Sequence, residues 1–389
     1  MACFGGPPAF EEPVHVGRPN LGDRERFLRR VNQILDRRWF SNDGPVVREL
    51  EHSLARYLGV EHVVALANGT LALEVAIRAL GLRDEVLIPS FTFIGTAHAL
   101  AWQQITPVFC DIDPQTHNLD ASLIEQRITP HTSGILGVHV WGEPCAVEAL
   151  TEIARRRGVA LLFDACHAFG CAHSGRMIGG FGSAEVFSFH ATKYFNTFEG
   201  GAVATNQGEL ACRMRLIRNF GFTGYDRVVQ IGINGKMSEI SAAMGLTGLE
   251  SLGDFVAVNR AHYQRYRRML DGVAGLRMYP VCETEQRNYQ YVVAQVDRKA
   301  ARISRDVLLE VLHRENVLAR RYFYPGCHRM EPYCSAARSR VPLPETERLC
   351  DQVLVLPTGT AVDDQAVDCI CDLIRLTIEN AAEIAERLA

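Results

Sequence analysis

The sequence predicts an α/β protein with a mostly parallel, seven-stranded sheet in a large domain and a smaller C-terminal α+β domain. Between residues 60 and 205, short apolar segments bounded by turns alternate with segments of helical periodicity. This alternation is typical of a parallel sheet covered by helices on both faces. The chain has 389 residues, more than a single hydrophobic core ordinarily holds. The alternation ends near residue 250, so we expect a second structural unit from there onward.

The N-terminal segment is expected to form two amphipathic helices, at residues 21–40 and 46–58, separated by a turn rich in Asn, Asp, Gly and Pro. The sheet follows, because each apolar segment is short and ends at turn-forming residues. Strands are expected at 62–67, 85–89, 107–111, 135–139, 160–164, 184–189 and 201–205, and helices at 70–80, 92–102 and 146–157.

The last third of the chain has a different pattern, with isolated strands between longer helical segments. We therefore assign residues 1–254 to an N-terminal segment and the large domain, and residues 255–389 to the small domain. Helices are expected at 254–273, 304–315 and 363–388, and strands at 290–296 and 353–356.

The composition is that of a soluble globular protein, with 47% hydrophobic residues, 22% charged residues and a net charge of −4. A nucleic-acid surface would require a clustered basic stripe, which the sequence lacks. No apolar stretch reaches the ~20 residues that cross a bilayer, and residues 1–16 do not resemble a signal peptide. We therefore expect a cytoplasmic protein without a membrane or nucleic-acid partner.

The twelve cysteines predict neither a zinc site nor a redox motif. Both kinds of site use cysteines in pairs such as Cys-x-x-Cys, and the chain has no such pair. The closest cysteines, Cys369 and Cys371, are separated by one residue in a predicted helix. Scattered cysteines in a cytosolic protein are usually small core residues. No metal site is expected.

Lysine is rare in this chain, which has 38 Arg and only three Lys: Lys193, Lys236 and Lys299. Arginine stays charged, whereas the surroundings of a lysine can deprotonate it. Lys193 ends the segment Phe187-Ser-Phe-His-Ala-Thr-Lys193, just after a predicted strand. Burial at a strand end lowers the pKa of an amine and favours the neutral form that makes imines. The alternative is a solvated lysine on a loop.

Asp164 ends the predicted strand at 160–164, and open α/β sheets bind ligands at such strand ends. A carboxylate there can pair with the pyridine nitrogen of a cofactor and keep that nitrogen protonated, so that the ring withdraws electrons. His167 follows three residues later and is expected to face the same site. The alternative is an aspartate that caps the next helix.

Two more strand ends complete the pattern. Asn68-Gly69-Thr70 lies between a strand and a helix, where glycine permits close approach and the helix start attracts phosphate. Residues 89–93 supply aromatic rings that can stack on a planar ligand. An amine, a carboxylate, a phosphate cradle and a flat ring together match the requirements of pyridoxal phosphate.

These stretches resemble the nucleotide-sugar aminotransferases, the DegT/StrS-type family of pyridoxal-phosphate enzymes. The resemblance implies fold type I, the aspartate-aminotransferase-like α/β fold, and transaminase activity. The matching stretches are Asn68-Gly-Thr, Pro89-Ser-Phe-Thr-Phe, Phe163-Asp-Ala-Cys-His-Ala-Phe-Gly170, Ser188-Phe-His-Ala-Thr-Lys193, Glu199-Gly-Gly and Asn234-Gly-Lys-Met-Ser-Glu239.

The resemblance implies a role for each matching position. Lys193 is the lysine that holds pyridoxal phosphate as a Schiff base and moves the proton, and Asp164 pairs with the pyridine nitrogen. Family branches that dehydrate sugars have His where Lys193 stands, so this chain keeps the aminotransferase residue. The other implied cofactor contacts are Gly69, Thr70 and Ser188 at the phosphate, Phe93 and His167 at the ring, and Asn234 at the phosphate of the neighbouring subunit. A homodimer with active sites at the subunit interface is therefore expected.

The resemblance also implies a nucleotide-linked keto-sugar as substrate and glutamate as amino donor. Residues 320–328 resemble the family loop that borders the sugar pocket, with Tyr324 and His328 as the expected substrate contacts, and the turn at 42–45 is expected to face the same pocket. A general likeness of residues 39–45 and 320–328 to C4-acting members favours a dTDP-4-keto-6-deoxyhexose aminated at C4, in deoxyaminosugar or antibiotic biosynthesis. A C3-acting enzyme and a cyclitol or ketone aminotransferase remain alternatives.

Two other classes compete with this interpretation. A lyase or desulfurase could share the fold, although a desulfurase requires a reactive cysteine on a mobile loop, and no cysteine here has such surroundings. A pyridoxal-phosphate-binding regulator without turnover is the second alternative. An absorbance spectrum with and without glutamate distinguishes turnover from binding alone.

Overall fold

The computed structural model describes residues 1–335 and 341–388. Its longer strands are segments of apolar residues, as predicted. The strands are β1 (Val14–His15), β2 (His62–Leu66), β3 (Glu85–Pro89), β4 (Thr106–Cys110), β5 (Thr132–Val138), β6 (Ala160–Asp164), β7 (Ala172–His173), β8 (Arg176–Met177), β9 (Ala184–Ser188), β10 (Gly201–Thr205), β11 (Leu276–Met278), β12 (Val292–Val296), β13 (Val317–Leu318) and β14 (Val353–Leu356).

Helices precede, cover and follow the main sheet, and none in the described part of the chain is long and apolar enough to cross a bilayer. Short 3-10 helices lie at Ala2–Phe4, Glu125–Arg127, Val140–Gly142 and Cys327–Arg329. The α-helices are α1 (Arg24–Arg37), α2 (Pro45–Leu58), α3 (Gly69–Leu80), α4 (Ile94–Ala101), α5 (Ala121–Ile124), α6 (Val147–Arg157), α7 (Gly208–Arg218), α8 (Glu239–Glu250), α9 (Leu252–Met269), α10 (Arg298–Ala301), α11 (Arg305–Arg314), α12 (Glu331–Cys334), α13 (Pro344–Gln352), α14 (Asp364–Glu379) and α15 (Ala381–Leu388).

The main sheet has seven strands in the order β2-β10-β9-β6-β5-β3-β4. Strand β10 runs antiparallel to both of its neighbours, and every other neighbouring pair is parallel. Its side chains enter hydrophobic clusters on both faces; in β2, for example, Val63 and Ala65 belong to one cluster and Val64 and Leu66 to the other. The α/β class and the mostly parallel seven-stranded sheet are confirmed.

A second, three-stranded antiparallel sheet has the order β11-β12-β14 and has its own hydrophobic cluster with α11 and α14. Strand β1, near the N-terminus, pairs in parallel with β13, so the first residues of the chain lie beside the C-terminal elements. The predicted domain boundary between residues 254 and 255 falls inside α9, and the division into two domains stays a prediction.

The structure corrects several predicted elements. The helix expected at 363–388 is two helices, since α14 ends at Glu379 and α15 starts at Ala381. The helix expected at 92–102 starts only at Ile94, because Phe93 has an extended backbone and acts as its N-cap. Helices α7, α8 and α13 were not predicted from the sequence. The start of α8 is marked by Ser238, whose side chain accepts a hydrogen bond from the backbone N–H of Ser241.

Candidate active site

A cavity of about 1060 Å³ opens where β2, β3, β5, β6 and β9 end. Parallel strands place their carboxyl ends at one edge of a sheet, so residues far apart in sequence meet there. Seven of the predicted site residues line this cavity: Gly69, Thr70, Phe93, Asp164, His167, Ser188 and Lys193.

Lys193 lies in the turn that follows β9, where its backbone N–H donates a 2.8 Å hydrogen bond to the carbonyl oxygen of His190. The side chain is half-buried, and Nζ donates a 2.9 Å hydrogen bond to Oη of Tyr291. Burial lowers the pKa of the Lys193 amine below its usual value. A larger fraction of this lysine is therefore neutral near pH 7 than of a lysine in water.

The Asp164 carboxylate is held by one hydrogen bond on each oxygen. Thr96 Oγ1 donates to Oδ2 at 2.8 Å, and the backbone N–H of Cys166 donates to Oδ1 at 3.1 Å. Asp164 is the last residue of β6 and is only 5% exposed. Because both oxygens have a partner, the carboxylate has a fixed orientation at the wall of the cavity.

His167 belongs to a cluster of aromatic rings at the wall of the cavity. Its ring is stacked with Trp141 at 5.8 Å between centroids and with Phe323 at 5.7 Å. Burial, reinforced by the nearby Lys193, lowers the pKa of His167 well below its usual value. The backbone N–H of Trp141 donates to Nδ1 at 3.3 Å, so the single ring proton lies on Nε2.

The start of α3 presents free backbone N–H groups at the cavity. The Asn68 side chain accepts a hydrogen bond from the N–H of Leu71 at 2.8 Å, while the N–H groups of Gly69 and Thr70 have no hydrogen-bond partner within the described residues. A Cβ at position 69 would lie 2.8 Å from the Cβ of Ser188, so only glycine fits. Free N–H groups at a helix start attract phosphate.

Phe93 lies at the rim of the cavity. Its ring is 59% exposed, and a Cβ at Gly95 would approach it to 3.0 Å. A large apolar ring with this exposure is available to cover a planar ligand.

The segment at 320–328 borders the cavity, but through residues other than the predicted ones. Arg320, Tyr322 and Phe323 line it, whereas Tyr324 and His328 lie outside its wall. The Tyr324 ring packs against guanidinium groups, and His328 Nδ1 is hydrogen-bonded to the Ser90 hydroxyl at 2.6 Å. Substrate binding by Tyr324 and His328 therefore stays a prediction. The positions of these two residues do not support it.

Two other predicted site segments also lie away from this cavity. Asn234 is exposed, and its backbone forms a bridge with Asn219. The turn at 42–45 lies next to the start of α8, where the Glu239 carboxylate accepts hydrogen bonds from the N–H groups of Val46 and Val47 at 2.9 Å. The contact of Asn234 with the neighbouring subunit's phosphate site and the contact of the turn at 42–45 with the sugar pocket stay predictions.

Some cavity residues were not predicted from the sequence. Thr96, Tyr291 and residues 15–19 all line the cavity, but none belongs to a recognisable motif. Residues 15–19 are held there by Asn20, which donates a 2.9 Å hydrogen bond to the carbonyl oxygen of Tyr194, next to Lys193. The sequence offers no signal for this contact, because the burial of Asn20 is visible only in the structure.

The residues present fit pyridoxal phosphate. A primary amine, a fixed carboxylate and a helix start with free N–H groups share one cavity, and these match a carbonyl, a basic ring nitrogen and a phosphate. Glycine at position 69 lets Ser188 approach the start of α3 closely, so that the Ser188 hydroxyl lies beside the free N–H groups.

Comparisons with known proteins agree with this chemistry. The family model of the DegT/DnrJ/EryC1/StrS aminotransferase family matches residues 22–375. The dTDP-4-amino-4,6-dideoxy-D-glucose transaminase of Shigella dysenteriae is 36% identical over 94% of this chain and 99% of its own length. The GDP-perosamine synthase of Caulobacter vibrioides is 32% identical over 91% of this chain and 95% of its own length.

Among solved structures, DesI, crystallised in the presence of its TDP-sugar product, superposes with a TM-score of 0.96 and 47% identity, covering 100% of this chain and 98% of DesI. The match thus extends over the whole fold, including the strand ends that form the cavity. The chain belongs to the DegT/DnrJ/EryC1/StrS aminotransferase family and is a pyridoxal-phosphate-dependent aminotransferase.

Proposed function

We propose that the enzyme transfers the amino group of glutamate to C4 of a dTDP-linked 4-keto-6-deoxyhexose. The meeting of the Lys193 amine and the Asp164 carboxylate in one cavity carries the proposal of amino transfer. The sugar is inferred from relatives: the Shigella enzyme is named for a 4-amino-4,6-dideoxyglucose linked to dTDP, and DesI was crystallised in the presence of its TDP-sugar product. The ketone that corresponds to such an amine carries its carbonyl at C4.

The cofactor is proposed to lie along the strand ends. The N–H groups of Gly69 and Thr70 and the hydroxyl of Ser188 would hold its phosphate, because they surround the start of α3. Phe93 would cover one face of its ring, and the Nε2 proton of His167 would meet its phenolic oxygen.

Asp164 would hold a proton on the pyridine nitrogen, since a fixed carboxylate favours the charged form of its partner. When bound, pyridoxal phosphate supplies a carbonyl that condenses with amines and a ring that stabilises a carbanion. The two hydrogen bonds on the carboxylate would keep its orientation constant during the reaction.

Lys193 would have two tasks. It would hold the cofactor covalently between turnovers, and as a free amine Nζ would take the proton from the α-carbon of glutamate. A base works best when its pKa lies near the working pH, and burial moves the pKa of Lys193 in that direction.

We propose a homodimer in which Asn234 completes the phosphate site of the partner. The segment before Asn234 exposes Phe220, Tyr225 and Ile231, with Tyr225 fully exposed (100%) and Ile231 79% exposed. An exposed apolar patch of this kind marks a protein interface. Asn234 lies next to this patch in sequence and away from the cavity of its own chain.

We further propose a cytoplasmic enzyme of deoxyaminosugar biosynthesis, of the kind that supplies sugars for antibiotics. All twelve cysteines are free, which favours a reducing compartment. The reaction would consume glutamate and a nucleotide-linked keto-sugar and would release 2-oxoglutarate and an amino-sugar.

The substrate is tested by incubating the purified enzyme and glutamate with dTDP-4-keto-6-deoxyglucose, and in parallel with the 3-keto isomer and the GDP-linked 4-keto sugar. We expect a new C–N bond at C4 of the dTDP-linked 4-keto sugar, located by NMR. Amination of the 3-keto sugar alone would show that the enzyme acts at C3 and not at C4. A preference for the GDP-linked sugar would show that the substrate carries GDP and not dTDP. If none of these sugars is aminated, a cyclitol or another carbocyclic ketone becomes the candidate substrate.

A further inference from the structure

Tyr291 is a buried tyrosine whose hydroxyl meets the amine of Lys193. Its Oη accepts a 2.9 Å hydrogen bond from Lys193 Nζ, and the residue is 8% exposed. Tyr291 directly precedes β12, so the three-stranded sheet carries it, whereas Lys193 follows a strand of the main sheet. The contact between these two residues therefore joins the two sheets inside the cavity.

Aromatic neighbours fix the ring of Tyr291. The His167 ring lies 4.3 Å away between centroids, and Trp141 packs edge-on at 5.3 Å and 64°. Tyr322 lies on another side at 6.4 Å. Because a buried ring packed against three other rings has no room to swing aside, the hydroxyl has one position, and that position is beside Nζ.

The hydroxyl can serve both protonation states of the lysine. Burial raises the pKa of Tyr291 well above its usual value, so the phenol keeps its proton. A neutral phenol accepts a hydrogen bond from an ammonium group and donates one to a neutral amine. Lys193 therefore has the same partner before and after it takes up a proton.

We propose that Tyr291 is the positioning residue that holds the Lys193 amine in place whenever this amine is not bonded to the cofactor. The inference rests on the role proposed above for Lys193. During the proton transfer the amine is free at the end of a flexible four-carbon chain, and a fixed hydroxyl confines it. Reaction rates are sensitive to displacements of about 1 Å between reacting groups, so this confinement acts on the chemical step.

The test removes only the hydroxyl, in Tyr291→Phe, and keeps the packed ring. We expect kcat to fall about ten-fold while KM for both substrates changes less than about two-fold, because binding groups are untouched. The visible absorbance of the bound cofactor should remain, since Lys193 itself is present.

A second measurement does not depend on turnover. The chain has three lysines, so lysine labelled with 13C at Cε gives three resonances, assigned with Lys236→Arg and Lys299→Arg. The pKa of Lys193 is read from a pH titration of the full-length protein, without cofactor and again with the cofactor in its amine form. Hydrogen bonds to charged groups are the stronger ones, so Tyr291→Phe should lower this pKa by about one unit.

Tyr289→Phe is the matched control. It makes the same change two residues away, at a buried tyrosine that packs on Tyr263 and does not line the cavity, and it should leave the pKa of Lys193 unchanged. A Lys193 pKa that is unchanged or raised in Tyr291→Phe would overturn the inference. If Lys193→Ala instead retains turnover, the proposed function of Lys193 is wrong, which is a different result from an unmoved pKa.

Discussion

The hydroxyl of Thr96 donates a 2.8 Å hydrogen bond to the carboxylate of Asp164 and stands 2.9 Å from the hydroxyl of Thr92. Since the Thr96 proton points to Asp164, the Thr92 hydroxyl must donate to Thr96. A short chain of hydroxyls thus connects the end of β3 to the carboxylate at the end of β6.

Removing the Thr96 hydroxyl should impair catalysis without emptying the site. Thr96→Val keeps the shape of this buried side chain but frees one oxygen of Asp164, so we expect kcat to fall about ten-fold. Thr96→Ser restores the donor and should stay near the wild-type value. Steady-state kinetics of both variants, at equal cofactor content, make the comparison; equal rates for Val and Ser would show that the hydrogen bond is unimportant.

Asp164→Asn should retain the cofactor and lose most of the activity. An uncharged partner no longer keeps the pyridine nitrogen protonated, so the carbanion loses stabilisation and kcat and kcat/KM should fall together by about 100-fold or more. Asp36→Asn, on the exposed side of α1, controls for the loss of one negative charge. A near-normal kcat in Asp164→Asn would contradict the proposed role.

Lys193→Ala should lose both the visible absorbance of the lysine-bound cofactor and all turnover, because no other primary amine lines the cavity among the described residues. Lys236→Ala and Lys299→Ala should keep both. Reduction of the wild-type enzyme with borohydride followed by peptide mass spectrometry should find the cofactor on Lys193. A modified Lys236 would show that the assignment is wrong.

Shared active sites predict complementation between two inactive variants. When Lys193→Ala and Asn234→Ala subunits are mixed and exchanged, half of the dimers are hybrids with one intact site, so about a quarter of wild-type activity should return. Activity is measured before and after exchange, with each variant alone as control. A monomer that is fully active at the assay concentration would rule out this arrangement.

Acid should destabilise the fold partly through His117. This histidine is fully buried, and Trp141 Nε1 donates a 3.1 Å hydrogen bond to its Nδ1. Burial, with help from Arg277, lowers the pKa of His117 to about 3. Below about pH 6.5 the unfolded chain binds a proton that the folded chain does not, so stability falls as the pH falls towards 3.

His117→Gln keeps hydrogen-bonding atoms but cannot be protonated. Between about pH 7 and pH 5 its unfolding free energy should therefore fall less than that of the wild type, by about 1.4 kcal/mol for each pH unit below 6.5. Urea unfolding at both pH values measures the difference. The same change at exposed His52 should leave the wild-type pH dependence intact, and identical slopes for His117→Gln and wild type would refute the assignment.

The strand ends were predictable because each one carries its own local pattern. Asp164 ends an apolar strand, Lys193 lies in the turn after another, and Gly69 opens a helix, so their place at one edge of the sheet follows from the topology. The contacts of these residues were not predictable. Thr96 and Tyr291 reach the site through α4 and through the other sheet, and such contacts depend on tertiary packing rather than on sequence spacing.

The segment at 320–328 is a second case in which tertiary packing, and not sequence spacing, decides which side chains reach the site. Its neighbourhood was predicted, but not which side chains turn inward, because that depends on how the segment packs on the end of β3. The backbone N–H of Cys327 donates a 3.0 Å hydrogen bond to the carbonyl oxygen of Ser90, which places Phe323 in the wall and buries His328 behind it.

Residues 15–19 form one wall of the cavity, yet the family model begins only at residue 22. Two arginines line the cavity, and they differ in this respect. Arg320 lies within the region that the family model matches, whereas Arg18 lies outside it. A chimera that exchanges the family-matched region between two such enzymes would keep the wall at 15–19 from the recipient chain. The substrate preference of such a chimera should then depend in part on the recipient chain, which supplies residues 15–19. A chimera meant to transfer substrate preference must therefore include the segment before residue 22.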